Sequence, residues 1–505
     1  MKSKKLNEAF EYVEDAYLDL TEQEKQRRRP RWIRIAALAA CLCLVVGIAA
    51  QLPAADQKSA DLENAYMAVE ETSAATSQTV YGAVFLANYP AVSPYPNESD
   101  FIDPKTGVFD DEAFDEVYQP WREDRKTLHN QPKGYADSLE QFFDKSISLF
   151  LSGSEGENRL YSPVNVYMAL AMLAEVTGGD TRAQILDALG SEDIEALRNQ
   201  VQQVWKAHYY NDGGTTSILA DSVWLREDIP YNDETLQRLA ETYYASSFSG
   251  EMGSQELNGA LQSWLNEQTG GLLEDQVSGE KLDAETIIAL ASTVLFRCKW
   301  AEEFSENGTD EGVFHKADGT DVTCDFMHQS GSNHYFWADR FGAIRRNLED
   351  GFSMWLLLPD EGVAAEELLT DSQTMELIRA GWDWENQKYL IVNQSVPKFD
   401  VSSQFDLREG LAALGITDVT DFDKADFSPL TDAQQEIALT QASHAVRVAI
   451  DEEGVTAAAY TVMMAAGAAM PPEEEIDFTL DRPFLFVITS PDNLPMFVGV
   501  VNDPA

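Results

Sequence analysis

The sequence predicts an α+β fold built on large mixed β-sheets, and three observations carry the prediction. Strand-like apolar runs of seven to thirteen residues recur at irregular intervals, helical runs are interleaved with them, and no internal repeat organises the chain. With 44% hydrophobic and 10% aromatic residues in 505, there is ample material for a large core. A net charge of −50 excludes a general nucleic-acid binder, because phosphate contacts need lysine and arginine.

At the start, Leu6, Phe10, Val13, Tyr17 and Leu20 lie four and three apart, the stripe of a short amphipathic helix. It is expected to rest on a membrane surface; docking of residues 6–20 to a cytoplasmic partner is the alternative. Arginines from Arg27 to Arg34 then precede eighteen nearly uncharged residues, Ile35 to Leu52. Eighteen residues at ~1.5 Å each span about 27 Å, enough for a tilted crossing. The positive-inside bias leaves residues 1–34 in the cytoplasm and everything after Pro53 outside, a single-pass cell-membrane topology that reads as a bacterial surface protein. A small-residue cleavage site at Gly47 and Ala49 is the rival reading, but a 34-residue basic region is too long for a signal peptide. Residues 53–133 are poorly periodic and rich in turn formers, and are expected to form an extracellular stalk packing partly on the domain at 134–505. Asn97-Glu98-Ser99 fits a glycosylation sequon, a weak signal in a stretch this short.

Within that domain, Ala136, Leu139, Phe143, Ile147 and Phe150 mark one face of a helix. The stretch "YSPVNVYMALAMLAEVTGGDTRAQILDALG" predicts a buried helix, a Gly-Gly turn and a second helix opening at Thr181, with Gln184 completing a capping box and Gly190 ending it. Strands are expected at "SILADSVWL", "ETIIALASTVLF", "FSMWLLLPD", "YLIVNQSVPKFDV", "HAVRVAI", "DRPFLFVIT" and "MFVGVVN". Helices are expected at "LNGALQSWLNEQTGGLLEDQV" and "FDLREGLAALG".

Nothing in this body calls for catalysis. The six histidines form no metal-ligand spacing, and there is no phosphate loop or nucleophile elbow, so neither cofactor nor metal is expected. His328 stands alone and reads as an ordinary hydrogen-bonded residue. Cys298 and Cys324, the cysteines of the folded part, are expected as two buried thiols, with a single bridge as the alternative.

Several segments, in order over Tyr135 to Pro504, resemble the serpin family of serine protease inhibitors. They are "YSPVNVYMALAML", "LASTVLFRCKW", "SMWLLLPDEG", "VPKFDVSSQFDLREGLAALGITD", "ADFSPLT", "ASHAVRVAIDEEGVTAAAYT" and "DRPFLFVI". The resemblance implies a serpin-like fold with about nine helices and an exposed reactive loop, and no enzymatic activity. It also implies suicide inhibition, in which a protease cleaves the loop and the loop's first half inserts into the main sheet.

The chemistry of the loop permits insertion. Gly454 gives the backbone freedom at the hinge, followed by Val455, Thr456, Ala457, Ala458 and Ala459. Alternate residues form two uncharged sets: Val455, Ala457, Ala459, Thr461, Met463, Ala465 and Gly467, and Thr456, Ala458, Tyr460, Val462, Met464 and Ala466. No proline interrupts Gly454 to Met470. About fourteen added residues at a net ~1 kcal/mol each give on the order of 10 kcal/mol, comparable to a domain's stability. Family members usually carry Thr or Ser where Val455 stands, which bears on insertion speed. Family spacing from Gly454 places the reactive bond between Ala468 and Ala469. Alanine there suits a small apolar primary pocket, so an elastase-like target is expected.

The resemblance also assigns a polar cluster under the sheet centre, on Ser162, Asn165, Ser292 and His444, with Trp300 at the top where the loop would enter. Asn165 and Ser292 look exchanged relative to the family, which preserves donors and acceptors if the two side chains meet. The competing reading is a non-inhibitory serpin-fold binding protein with an alanine-rich surface loop.

Overall fold

The computed structural model describes residues 82–153, 156–274, 279–433, 436–455 and 472–505. The expected cytoplasmic helix and membrane span lie outside those residues; among the described residues no helix is long and apolar enough to cross a membrane.

Two mixed sheets carry the body. The eight-stranded sheet runs, edge to edge, through Ala83–Phe85, Ala245–Gly250, Thr216–Arg226, Ile288–Lys299, Gly454–Val455, Leu439–Ile450 and Phe399–Asp406, with Tyr210–Asn211 paired to Thr216–Arg226. The nine-stranded sheet runs through Glu475–Thr479, Gln387–Pro397, Asp321–Trp337, Phe341–Asn347, Ser353–Pro359, Phe484–Thr489, Pro495–Val501 and Arg159–Tyr161, with Thr309–His315 on Asp321–Trp337.

The central strand Ile288–Lys299 reads as a continuous apolar run because both its faces are covered. Leu290, Val294 and Phe296 face the main core, while Ala289 and Ala291 face a second cluster beneath the helix Gln255–Gln268. In the main core the helix Pro163–Val176 is buried over its whole length, as an apolar-all-round helix must be. Pro163 occupies its first turn, where no amide hydrogen is needed.

The capping box at Thr181 is not formed. That helix starts two residues earlier, at Gly179, and runs to Ala188. The Thr181 hydroxyl instead accepts from the Asp426 amide at 3.0 Å, and the Gln184 side chain accepts from the amides of Thr417 at 2.9 Å and Asp418 at 3.0 Å. Both side chains are spent on tertiary contacts with a distant loop. The run "FDLREGLAALG" likewise yields only the short helix Arg408–Leu411.

Residues 82–133 belong to the same compact unit as the rest of the described chain, so the folded body begins well before Gly134. Ala83–Phe85 adds an antiparallel strand outside Ala245–Gly250. The helix Asp111–His129 packs its aromatic side chains Phe114, Tyr118 and Trp121 with Tyr95, Phe101 and Phe109. From this helix Arg125 reaches Asp350 at 2.9 Å and Asp212 at 3.3 Å.

Candidate functional site

Ile288–Lys299 and Leu439–Ile450 are parallel neighbours, paired directly from Leu439 opposite Ile288 to Ala445 opposite Thr293. Beyond that point a third strand lies between them. After Ile450 the chain turns sharply, the Asp451 carboxylate accepting from the amides of Glu453 at 2.9 Å and Gly454 at 3.0 Å. Gly454–Val455 then runs back antiparallel to both neighbours, Gly454 opposite Lys299 and Val455 opposite Cys298 and Ile450. The eight-stranded sheet is therefore zipped at one end and wedged open at the other by Gly454 and Val455.

Glycine is required at the wedge by close approach, not by a left-handed backbone. A β-carbon on residue 454 would meet the backbone of Cys298 and Lys299 well inside van der Waals distance. Val455 is fully buried in the main core, which suits its apolar side chain.

Around the turn, Trp300 donates its indole N–H to the Asp451 carbonyl at 2.9 Å, and its amide donates to the Glu453 carbonyl at 2.9 Å. The buried Arg346 guanidinium lies 5.0 Å from the Trp300 ring centre and 3.9 Å from that of Phe304. It donates to Gln329, Gln394 and the Glu302 carbonyl, all neutral acceptors, and burial lowers its pKa to about 10. Lys398 pairs with Glu452 at 2.9 Å, and Thr309 donates to the same carboxylate at 2.7 Å. Partial burial pushes the Glu452 acid up, but the hydrogen bonds from Thr309 and Lys398 outweigh it and hold the carboxyl below its ordinary range.

At the zipped end, Asn165 rises from the helix Pro163–Val176 and donates to the Ser292 hydroxyl at 2.5 Å and the Thr293 carbonyl at 3.0 Å. The Ser292 hydroxyl lies 3.5 Å from His444 Nδ1 across the pairing. Burial holds the His444 pKa down at about 3, so the ring is neutral at physiological pH. Asn165, Ser292 and His444 thus come together, and the exchanged Asn165 and Ser292 do touch. Ser162 does not join them: it is fully buried ahead of the helix, and its hydroxyl has no partner among the described residues. Thr456, Ala457, Ala458, Ala459, Ala468 and Ala469 lie outside the described residues.

Sequence reasoning missed one member of the cluster. Asp221, on Thr216–Arg226, is the register partner of Ser292 and only 2% exposed. Burial pushes its acid up to about 8, opposed by a hydrogen bond from Ser292. The available signal was a lone acid inside the apolar run "SILADSVWL".

Elsewhere, His328 is satisfied between Ser395 at 2.9 Å and Asp310 at 3.0 Å. Cys298 and Cys324 are both free; Cys298 is buried, but Cys324 is only partly covered because its strand lies toward solvent. No cluster of metal-ligating side chains occurs among the described residues.

A family profile described as Serpin (serine protease inhibitor) matches residues 141–504, well over half of the chain. This chain belongs to the serpin family. Among the curated serpins it resembles, alpha-1-antitrypsin 1-3 of Mus musculus is 29% identical over 372 residues, covering 72% of this chain and 88% of the relative. Serpin-Z2B of Triticum aestivum is 28% identical, covering 69% and 90%, and plasminogen activator inhibitor 1 of Mus musculus is 28% identical, covering 75% and 94%. Among solved serpins, the native state of the thermophilic serpin tengpin superposes with a TM-score of 0.65 at 26% identity, covering 74% of this chain and 95% of that one. Thyroxine-binding globulin in complex with thyroxine superposes with a TM-score of 0.62 at 21% identity, covering 74% and 100%, a likeness of fold alone.

Proposed function

We propose that this serpin inhibits elastase-like serine proteases. The target cleaves between Ala468 and Ala469, and the severed segment from Gly454 onward inserts into the eight-stranded sheet with the acylated protease attached. The observation that carries this reading is the wedge: Gly454–Val455 already pairs with both strands that insertion must separate. The uncharged, proline-free sequence that follows can continue this strand without burying a charge or omitting a donor. Alanine at the reactive bond favours a protease with a small apolar primary pocket. The basic cluster and apolar run at 27–52 support an anchored form, displaying the inhibitor outside a bacterial cell with residues 1–34 inside.

Incubation with an elastase, followed by a denaturing gel, tests the inhibitory reading. A covalent band larger than either protein is expected, with release of a peptide beginning at Ala469. Loop cleavage with no such band and no rise in thermal midpoint selects the alternative, a serpin-fold binding protein that inhibits nothing.

A further inference from the structure

We propose that Asp221 is a positioning residue for sheet opening, keeping Ile288–Lys299 zipped to Leu439–Ile450 while it carries a proton and releasing them when it loses it. This rests on the insertion reading above and adds a control to it.

Asp221, Ser292 and His444 are direct register partners on three adjacent strands, so they form one row on one sheet face. The row crosses the seam between Ser292 and His444, where the strands must part. The groups facing Asp221 are Ser292 from the central strand, Asn165 from the helix below through Ser292, His444 across the seam, and Tyr89 from the segment that follows Ala83–Phe85. Tyr89 gives its hydroxyl to Gln268 at 3.3 Å. No lysine or arginine among the described residues acts on the Asp221 carboxyl. Burial keeps His444 neutral above about pH 3 and Tyr89 neutral at any ordinary pH, so between pH 4 and 8 Asp221 is the member of the row that changes charge.

An ionised carboxylate here is buried without a cation, and Asp221 Oδ1 has no hydrogen-bond partner among the described residues. Parting the strands admits water to the row and relieves that penalty. The sign follows from linkage. The closed sheet raises the acid's pKa to about 8, whereas a hydrated carboxyl titrates near ~4. The closed sheet therefore binds the proton more tightly, closure is strongest at low pH, and it weakens as pH rises toward 8. The closed-to-open ratio falls by up to about tenfold per pH unit in that window and is flat above it.

Hydrogen–deuterium exchange on the intact full-length chain, without protease, tests this. Protection of peptides covering 288–294 and 439–446, corrected for the intrinsic pH dependence of exchange, should fall several-fold per unit between pH 5 and 8. Asp221→Asn, isosteric and neutral throughout, should remove that slope. An equal slope in the variant, or none in the native chain, overturns the proposal. Should the variant not fold, infrared spectra of the native chain labelled with carbon-13 aspartate decide. The carbonyl band of a protonated aspartic acid should be present at pH 6 and lost by pH 9; its absence at pH 6 overturns the proposal. Because both measurements use uncleaved protein, failure to trap a protease leaves them unaffected, and the reverse also holds.

Discussion

A β-carbon on Gly454 would lie 2.4 Å from the carbonyl oxygen of Cys298, and the obstacle is main chain that cannot rotate aside. Gly454→Ala must therefore push the hinge out of the wedge or spread the sheet around it. Either way the first step of insertion slows. We expect the fraction of protease trapped per cleaved molecule to drop at least several-fold, with more inhibitor consumed as plain substrate. Densitometry of adduct against cleaved product measures this ratio; a ratio equal to that of the native protein would remove the steric role.

Asn165 ties the buried helix to Ser292 at the seam through a hydrogen bond at 2.5 Å. Asn165→Ala leaves the Thr293 carbonyl and the Ser292 hydroxyl short of a donor, a loss of about 1–3 kcal/mol. Urea unfolding of the intact protein should register that loss. After loop cleavage the penalty should change, because insertion rebuilds the seam these groups face. An identical penalty before and after would make Asn165 an ordinary core residue.

The Lys398–Glu452 pair anchors the turn from its open side. The folded carboxyl sits below its ordinary pKa, so its stabilisation is present above about pH 4.5 and is lost as pH falls through the depressed value. Lys398 is 36% exposed, so solvent screens the pair from that side and its worth is below ~1 kcal/mol. Glu452→Gln should lower the thermal midpoint slightly at pH 7, and the gap should shrink as pH falls below about 4.5. A gap that does not shrink as the pH is lowered would point to lost packing instead of lost charge.

Arg125 holds two loops that converge on Cys298. Asp350 adjoins Glu349, whose carbonyl accepts from the Cys298 thiol at 3.5 Å; Asp212 adjoins the turn to Thr215, whose hydroxyl is 3.4 Å from that sulfur. Arg125→Ala strands two carboxylates, one nearly buried, at a cost of about 2–3 kcal/mol. Burial raises the Cys298 thiol far above its usual range, so in the native protein it should resist a disulfide reagent at pH 8 while Cys324, at about 11, reacts slowly. In the variant Cys298 labelling should accelerate. Unaltered labelling would show that the two loops hold without Arg125.

Much of the core was legible because burial on both faces leaves an unmistakable print. Ile288–Lys299 and Pro163–Val176 are apolar nearly throughout, and the run around Ser353–Pro359 is no different. The strands that escaped were those with a wet face or a small-residue composition, such as Ala245–Gly250 and Asp321–Trp337. The segment around Asp111–His129 was obscured for another reason: Phe114, Tyr118 and Trp121 do lie four and three apart, but Pro120 falls among them and turn formers crowd the stretch before it. At the site, family order located Ser292 and His444, whereas Asp221 needed the sheet register, since only strand pairing reveals that an isolated acid faces them.

The pairing of Gly454 with Lys299 also works as a ruler. Antiparallel counting down the twelve residues of Ile288–Lys299 brings Thr461 level with Ser292 and His444, and Ala465 level with Ile288. A hydroxyl would then arrive in the very row that had to be broken, stitching Ser292 to His444 across the newcomer. Ala468 would come to rest three positions past the sheet's far rim, so a passenger bonded there would be hauled fourteen residues beyond Gly454, about 48 Å at ~3.4 Å per residue.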